Sequence, residues 1–347
     1  MAEQNGNAAA AVYVQTNDGT SNELLAFERR ADGQLAPGGR FATGGRGTGQ
    51  PHLPSQGSIV LSEDGSQVLV VNAGSDELSL FAVEDGGLRL TDRVASGGAR
   101  PTSVAVSGDL VYVLNNGTPN VTGFRIEDGR LVELEDSTRP LSADDADPAQ
   151  VSFSRDGRTL VVTERGTNSI SAYAIDGRGY ADGPTTISCP GETPYGFDFT
   201  AEGGVIVTEA FGGAAGAAAA SSYSLTDPGR LAPVSGSVGD TRSEVCWAAV
   251  TNDGRFVYVT NFGDGTISSY EIAGDGSLQL RDAVAASTRL GEKGVRDEAI
   301  SRDGGYLYAI DADAQKLFGW TVNADGSLVS IGAFEGLPEN VAGLAAS

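Results

Sequence analysis

The sequence predicts an all-β chain folded as a seven-bladed β-propeller, its ring closed by a C-terminal strand that completes the first blade. Three observations predict it. A Ser or Thr ends a short apolar run at Ser62, Ser107, Ser154, Thr200, Thr251 and Ser301, at intervals of 45, 47, 46, 51 and 50 residues. Self-similarity at such a period marks a repeated supersecondary unit. After most anchors comes a turn such as Glu63-Asp64-Gly65, Arg155-Asp156-Gly157, Asn252-Asp253-Gly254 or Arg302-Asp303-Gly304, and Asp-Gly between apolar runs supplies the positive φ of a tight hairpin. Finally, the run that follows the turn also occurs at Ala11 to Gln15 with no partner before it, and Val341 to Ser347 supplies the missing piece, Ser347 standing where Ser62 and Ser301 stand.

The unit is plainest at residues 244–280, which read as four strands: one ending at Thr251, then Phe256 to Thr260, Thr266 to Ile272, and a fourth from Ser277. Phe256 to Val259 is apolar without alternation, as in a strand covered on both faces. Four-stranded sheets repeated radially make a propeller, whereas β-sandwich units need about 100 residues each. The blades are expected at 11–43 with 341–347, then 55–97, 100–139, 148–188, 194–238, 244–286 and 295–336, in one domain spanning 1–347.

The chain carries 23 basic and 46 acidic residues, a net charge of -23. That field repels phosphate, which argues against nucleic acid and anionic membrane as partners. Cys189 and Cys246 lie in different repeats without metal-ligand spacing and read as reduced, buried residues. No run approaches the ~20 apolar residues of a membrane helix. Met1 to Ala10 lacks the basic start of a signal peptide, so the expected location is the cytoplasm.

In such a ring the loops entering each first strand and leaving each second strand emerge on one face, around the channel, and function is expected there. The connection from Thr43 to Ser55 holds the only histidine, His52, a candidate proton carrier. Gln56 and Gln150 sit at first-strand starts, as do Tyr195, Trp247, Arg296, Asp297 and Glu298. The aspartates of the 138–147 loop lack the spacing of a calcium loop and read as solvated.

Second strands end on one polar position in every repeat: Thr16, Asn72, Asn115, Glu164, Glu209, Asn261 and Asp311. Asparagine there caps a turn or binds a ligand. Glutamate caps poorly, so Glu164 and Glu209, on adjacent blades, are the candidate acid–base pair. Directly after Glu209, the Gly- and Ala-rich stretch 211–221 is a candidate lid.

The phrases Ser62-Glu-Asp-Gly65 and Asn252-Asp-Gly-Arg-Phe-Val-Tyr-Val-Thr-Asn261, with Gly-Arg-Leu at 129 and Gly-Ser-Leu at 276 and 326, resemble the lactonase family of seven-bladed propellers. That family includes bacterial 6-phosphogluconolactonases of this fold and the fungal 3-carboxymuconate lactonising enzyme. The resemblance implies lactone chemistry on the channel face. It also implies a histidine where this chain has Pro148-Ala149-Gln150, and arginines where it has Tyr195 and Phe262, while the glutamate of an Asn-Glu phrase survives as Glu209. Without those arginines, the expected substrate is a small, relatively uncharged cyclic ester, hydrolysed or formed with Glu209 as general base. Asn72, Asn115, Asn261 and Gln150 would then serve as hydrogen-bond donors. A divalent cation, calcium or magnesium, on Glu164, Glu209, Asn261 and Asp311 is a variant of this expectation, and no other cofactor is expected. The alternative is a non-catalytic propeller that binds a ligand or protein after losing the family's His and Arg chemistry.

Overall fold

A strand apolar at every position needs a neighbour on each face, and this explains the second strands. In the computed structural model, which describes residues 10–347, Val68 to Val71 are completely buried. Val68 and Val70 pack in the seam toward the blade before, Leu69 and Val71 in the seam toward the blade after. Seven sheets are built this way, each strand pairing antiparallel with its sequence neighbour. Seven apolar clusters fill the seams between adjacent blades.

Ring closure joins the two ends of the chain. Val341–Ala346 pairs with Ala11–Thr16 as the innermost strand of the first blade, with Val12 opposite Ala346 and Val14 opposite Leu344. Ser347 finishes the join, its N–H donating to the Ala11 carbonyl at 2.9 Å and its Oγ accepting from the Ala11 N–H at 2.7 Å. Tyrosines of the second strands rivet the seams: the hydroxyls of Tyr112, Tyr258 and Tyr308 donate to Gly179, Gly326 and Gly33 in the turns of the next blade. Residues 1–9, on which the leader-peptide expectation rests, lie outside the described residues. No helix among the described residues is long and apolar enough to cross a membrane. Both cysteines are free.

The polar residues ending the second strands do not form a ring at the channel mouth. Each is buried and turned into its own seam. Glu164 accepts from Ser171 Oγ at 2.6 Å, Thr167 Oγ1 at 3.0 Å, and both the N–H and the hydroxyl of Ser142. Glu209 accepts from Ser221 Oγ at 2.5 Å, Ser237 Oγ at 2.6 Å, the Gly191 N–H at 3.0 Å and Cys189 Sγ at 3.1 Å. Asn72 and Asn261 reach Ser79 and Ser268 on their third strands at 2.8 Å, and Asn115 reaches Asn120 at 2.8 Å. Asp311 is held by the Arg289 guanidinium at 3.0 and 3.1 Å. Together they pin the loop arriving from the blade before.

Gln56 reaches across the ring to exchange hydrogen bonds with Ala248, its Nε2 donating to the carbonyl at 2.9 Å and its Oε1 accepting from the N–H at 3.2 Å. Gln150 does the same with Phe197, at 2.9 and 2.6 Å. Trp247 Nε1 donates to the Ser55 carbonyl at 3.1 Å. These side chains mimic strand partners for backbone groups that a curved ring leaves unpaired.

One inner-strand position breaks the pattern. Ile59, Val104, Val151, Phe197, Ala248 and Leu344 occupy equivalent register positions in six blades, and Glu298 occupies the seventh. It is buried, and neither carboxylate oxygen has a hydrogen-bond partner among the described residues. Burial first, then the charges of Asp198 and Asp297, push it well above the usual carboxylate range. Burial also pushes Asp297 up to about 7.

Two stability predictions follow from these environments. Glu209→Gln replaces an acceptor oxygen among four donors with an amide nitrogen and should cost about 1–3 kcal/mol of unfolding free energy in urea; an unchanged midpoint would mean that the pin carries no stability. Glu298→Leu restores the apolar residue of the sister blades and should stabilise the protein by about 1–3 kcal/mol. Because the folded-state value of Glu298 is raised, its contribution is most favourable in acid and is lost as pH rises toward that value. The advantage of Glu298→Leu should therefore grow from pH 5 to pH 8, and a pH-independent difference would show Glu298 to be normally titrating.

Candidate functional site

Two register positions converge on the open end of the channel. The second residue of each inner strand is Tyr195 in the fifth blade, Cys246 in the sixth and Arg296 in the seventh; the residue just after each second strand is Arg165 in the fourth, Ala210 in the fifth and Phe262 in the sixth. All six line a pocket of about 610 Å³, with Trp247, Asp147, Glu244 and the 212–213 turn. His52 reaches the same pocket from the connection between the first and second blades.

Of the residues singled out in the sequence, the structure brings His52, Tyr195, Trp247, Phe262 and Arg296 together here, while Asp297 and Glu298 are not in the lining. Glu164, Glu209, Gln56, Gln150, Asn72, Asn115 and Asn261 are not in the lining. Their polar atoms face seams or backbone, so the geometry does not support Glu209 as a base at this pocket or the amides as its donors. Nor do Glu164, Glu209, Asn261 and Asp311 form one ligand set, since each sits in its own blade with its own partners. Among the described residues no group of three or more His, Cys, Asp or Glu side chains is arranged to hold a metal.

The pocket is more charged than the expected, relatively uncharged substrate requires. Tyr195 and Phe262 stand where the family resemblance implies arginines, yet a guanidinium lies on each ring: Arg165 over Tyr195 at 4.8 Å and Arg296 over Phe262 at 4.7 Å. Each guanidinium comes from the neighbouring blade, Arg165 from the fourth and Arg296 from the seventh. Arg165 is tied to Asp147, at 2.8 Å to Oδ1 and 3.2 Å to its carbonyl. Arg296 makes no hydrogen bond or ion pair among the described residues; it is 6% exposed, and its Nε is buried without an acceptor. Burial pulls Arg296 down, and the charges of Asp313 and Asp297 oppose it without supplying a hydrogen-bond acceptor, so an anion entering the cavity would be the first acceptor its N–H groups meet.

Partial burial, followed by the positive charges of Arg296 and Arg165, pulls His52 from its ordinary value down to about 4. Its imidazole is thus neutral at pH 7. Burial pushes the Cys246 thiol up to about 12, which leaves it protonated and a poor nucleophile. Lys293 and Glu244 pair at the rim.

The aromatic wall is rigid. Tyr195 and Trp247 meet edge to face with centroids 5.7 Å apart, and the Trp247 nitrogen is anchored to Ser55. The stretch after Glu209 forms one short turn, Phe211–Gly213, whose Gly212 N–H is tethered to Thr193 Oγ1 at 3.0 Å, while the Gly216 N–H is tethered to Ser243 Oγ at 3.0 Å. It stands as a wall of the pocket. Sequence reasoning missed Arg165, although aligning the residues that follow the second strands would have set it in one column with Ala210 and Phe262.

Solved structures share this architecture. A Bacteroides fragilis protein provisionally named a 6-phosphogluconolactonase is 20% identical, with each chain covered in full and a TM-score of 0.72. A periplasmic gluconolactonase of Pseudomonas aeruginosa is 17% identical over 97% of this chain and 98% of its own, with a TM-score of 0.73. A Lactobacillus plantarum protein is 16% identical over 98% and 99%, with a TM-score of 0.76. At these identities the likeness is one of fold. No curated protein matches the sequence. The family model described as lactonase, 7-bladed beta-propeller, matches residues 9–144, 128–210 and 207–340, and with the closed ring of seven blades this places the chain in the lactonase family of seven-bladed β-propellers.

Proposed function

We propose that the protein hydrolyses a lactone bearing or generating an anionic group, with His52 as general base and Arg296 as the anion-binding residue. The observation that carries this reading is the unpaired, buried guanidinium of Arg296 in one pocket with the chain's only histidine, held neutral. Water attacks the lactone carbonyl carbon as His52 takes its proton, and Arg296 stabilises the charge that develops on the acyl group. The ring C–O bond then breaks, and the ring oxygen takes the proton back from the imidazolium. The product is a hydroxy acid whose new carboxylate the same guanidinium can hold. Phe262, Tyr195 and Trp247 supply flat apolar faces for the body of the ring. Sugar lactones, the class named for two of the structural neighbours, are the substrates to try first.

His52→Gln should lower kcat on such a lactone by about 10²-fold or more, while Arg296→Gln should raise KM and weaken product binding. Because a general base works unprotonated, wild-type activity should rise with pH through about 4 and stay level to neutrality. Hydroxy-acid binding without turnover by the wild type would favour the non-catalytic binding propeller. Full activity in His52→Gln would remove the histidine from the mechanism.

A further inference from the structure

Among the described residues, no group hydrogen-bonds the Tyr195 hydroxyl; the residue is engaged only through its backbone, its carbonyl accepting from Thr163 Oγ1 at 2.5 Å. Its ring is nonetheless fixed on two sides, by the edge of Trp247 at 5.7 Å and the Arg165 guanidinium at 4.8 Å. Arg165 is itself held by Asp147 and Trp247 by Ser55, so the phenol stands on a braced platform in the lining of the pocket. A tyrosine whose ring is braced while its hydroxyl is left free is preorganised to donate to a ligand.

We infer that Tyr195 is a catalytic residue of the lactone-hydrolase site, donating a hydrogen bond to the oxyanion that forms when water attacks the carbonyl. This rests on the hydrolase reading. The protonation state suits the role: burial, with a contribution from Cys246, raises the phenol above its ordinary value against the opposing pull of Arg165 and Arg296. Tyr195 therefore remains a donor through the whole working range and cannot compete with His52 as the base. The division of labour is then one neutral donor and one cation on the acyl oxygens and one neutral base on the water. No proton leaves Tyr195 during the reaction, and the oxyanion collapses with expulsion of the ring oxygen as before. A hydrogen bond of this kind strengthens as charge develops on the oxygen, so its effect falls on kcat more than on binding.

The test is Tyr195→Phe, which keeps the ring and removes only the hydroxyl. Steady-state hydrolysis of glucono-1,5-lactone and calorimetric binding of gluconate are measured on the wild type and the variant. The expected result is a fall in kcat of about 10²-fold, with KM and gluconate affinity within about threefold of wild type. A kcat within about threefold of wild type would overturn the assignment. So would a parallel loss of turnover and gluconate binding, which would make Tyr195 a wall of the pocket. A wild type that turns over no lactone would overturn the hydrolase reading itself and Tyr195 with it, an outcome visible before the variant is made.

Discussion

A four-stranded blade with apolar residues on both faces is stable only between two others, and that two-sided burial is the constraint from which the architecture follows. Val68 and Val70 need one neighbour while Leu69 and Val71 need another. A row of such blades leaves an uncovered face at each end, whereas a ring leaves none. Closure through Val341–Ala346 and Ala11–Thr16 is thus a condition for burying the first and seventh blades at all. The ring also brings corresponding residues of successive blades side by side, which is why Tyr195, Cys246 and Arg296, some fifty residues apart in the chain, share a single pocket.

The polar side chains at the strand ends serve the same ring. A curved assembly cannot pair every backbone group through strand ladders, and Gln56 and Gln150 bond backbone groups of Ala248 and Phe197 while Glu164 and Glu209 accept from the N–H groups of Ser142 and Gly191. Saturated in this way, they rigidify the scaffold. Arg296 and Glu298 are the opposite case, buried polar groups without hydrogen-bond partners among the described residues. Such groups cost stability and are concentrated at functional sites. Arg296 faces the cavity and finds its explanation there. Arg165 is paired with Asp147, so Arg296 is the guanidinium of the lining left for an anion.

The fold was legible because its signals are local and repeated: Asp-Gly turns, unbroken apolar runs, and a spacing that only a radial array accommodates. His52, Tyr195, Trp247 and Phe262 were legible as pocket residues because topology alone delivers their loops to the channel face. Glu164 and Glu209 misled because chain position fixes the end of a strand but not which way its last side chain turns. The correcting signal lay seven residues on, where Ser79, Ser171 and Ser268 wait on the third strands as partners for Asn72, Glu164 and Asn261. The charge of the pocket was misread for a related reason. Arginine was sought at positions 195 and 262, and the guanidiniums over those rings come from the neighbouring blades.

The most direct test of this account is a crystal structure of the protein with gluconate bound. The carboxylate should lie about 2.7–3.0 Å from the Arg296 guanidinium, with His52 and Tyr195 on the same acyl group and Phe262 beneath the arginine. A structure in which gluconate binds away from Arg296, or in which Arg296 turns out of the pocket, would contradict it.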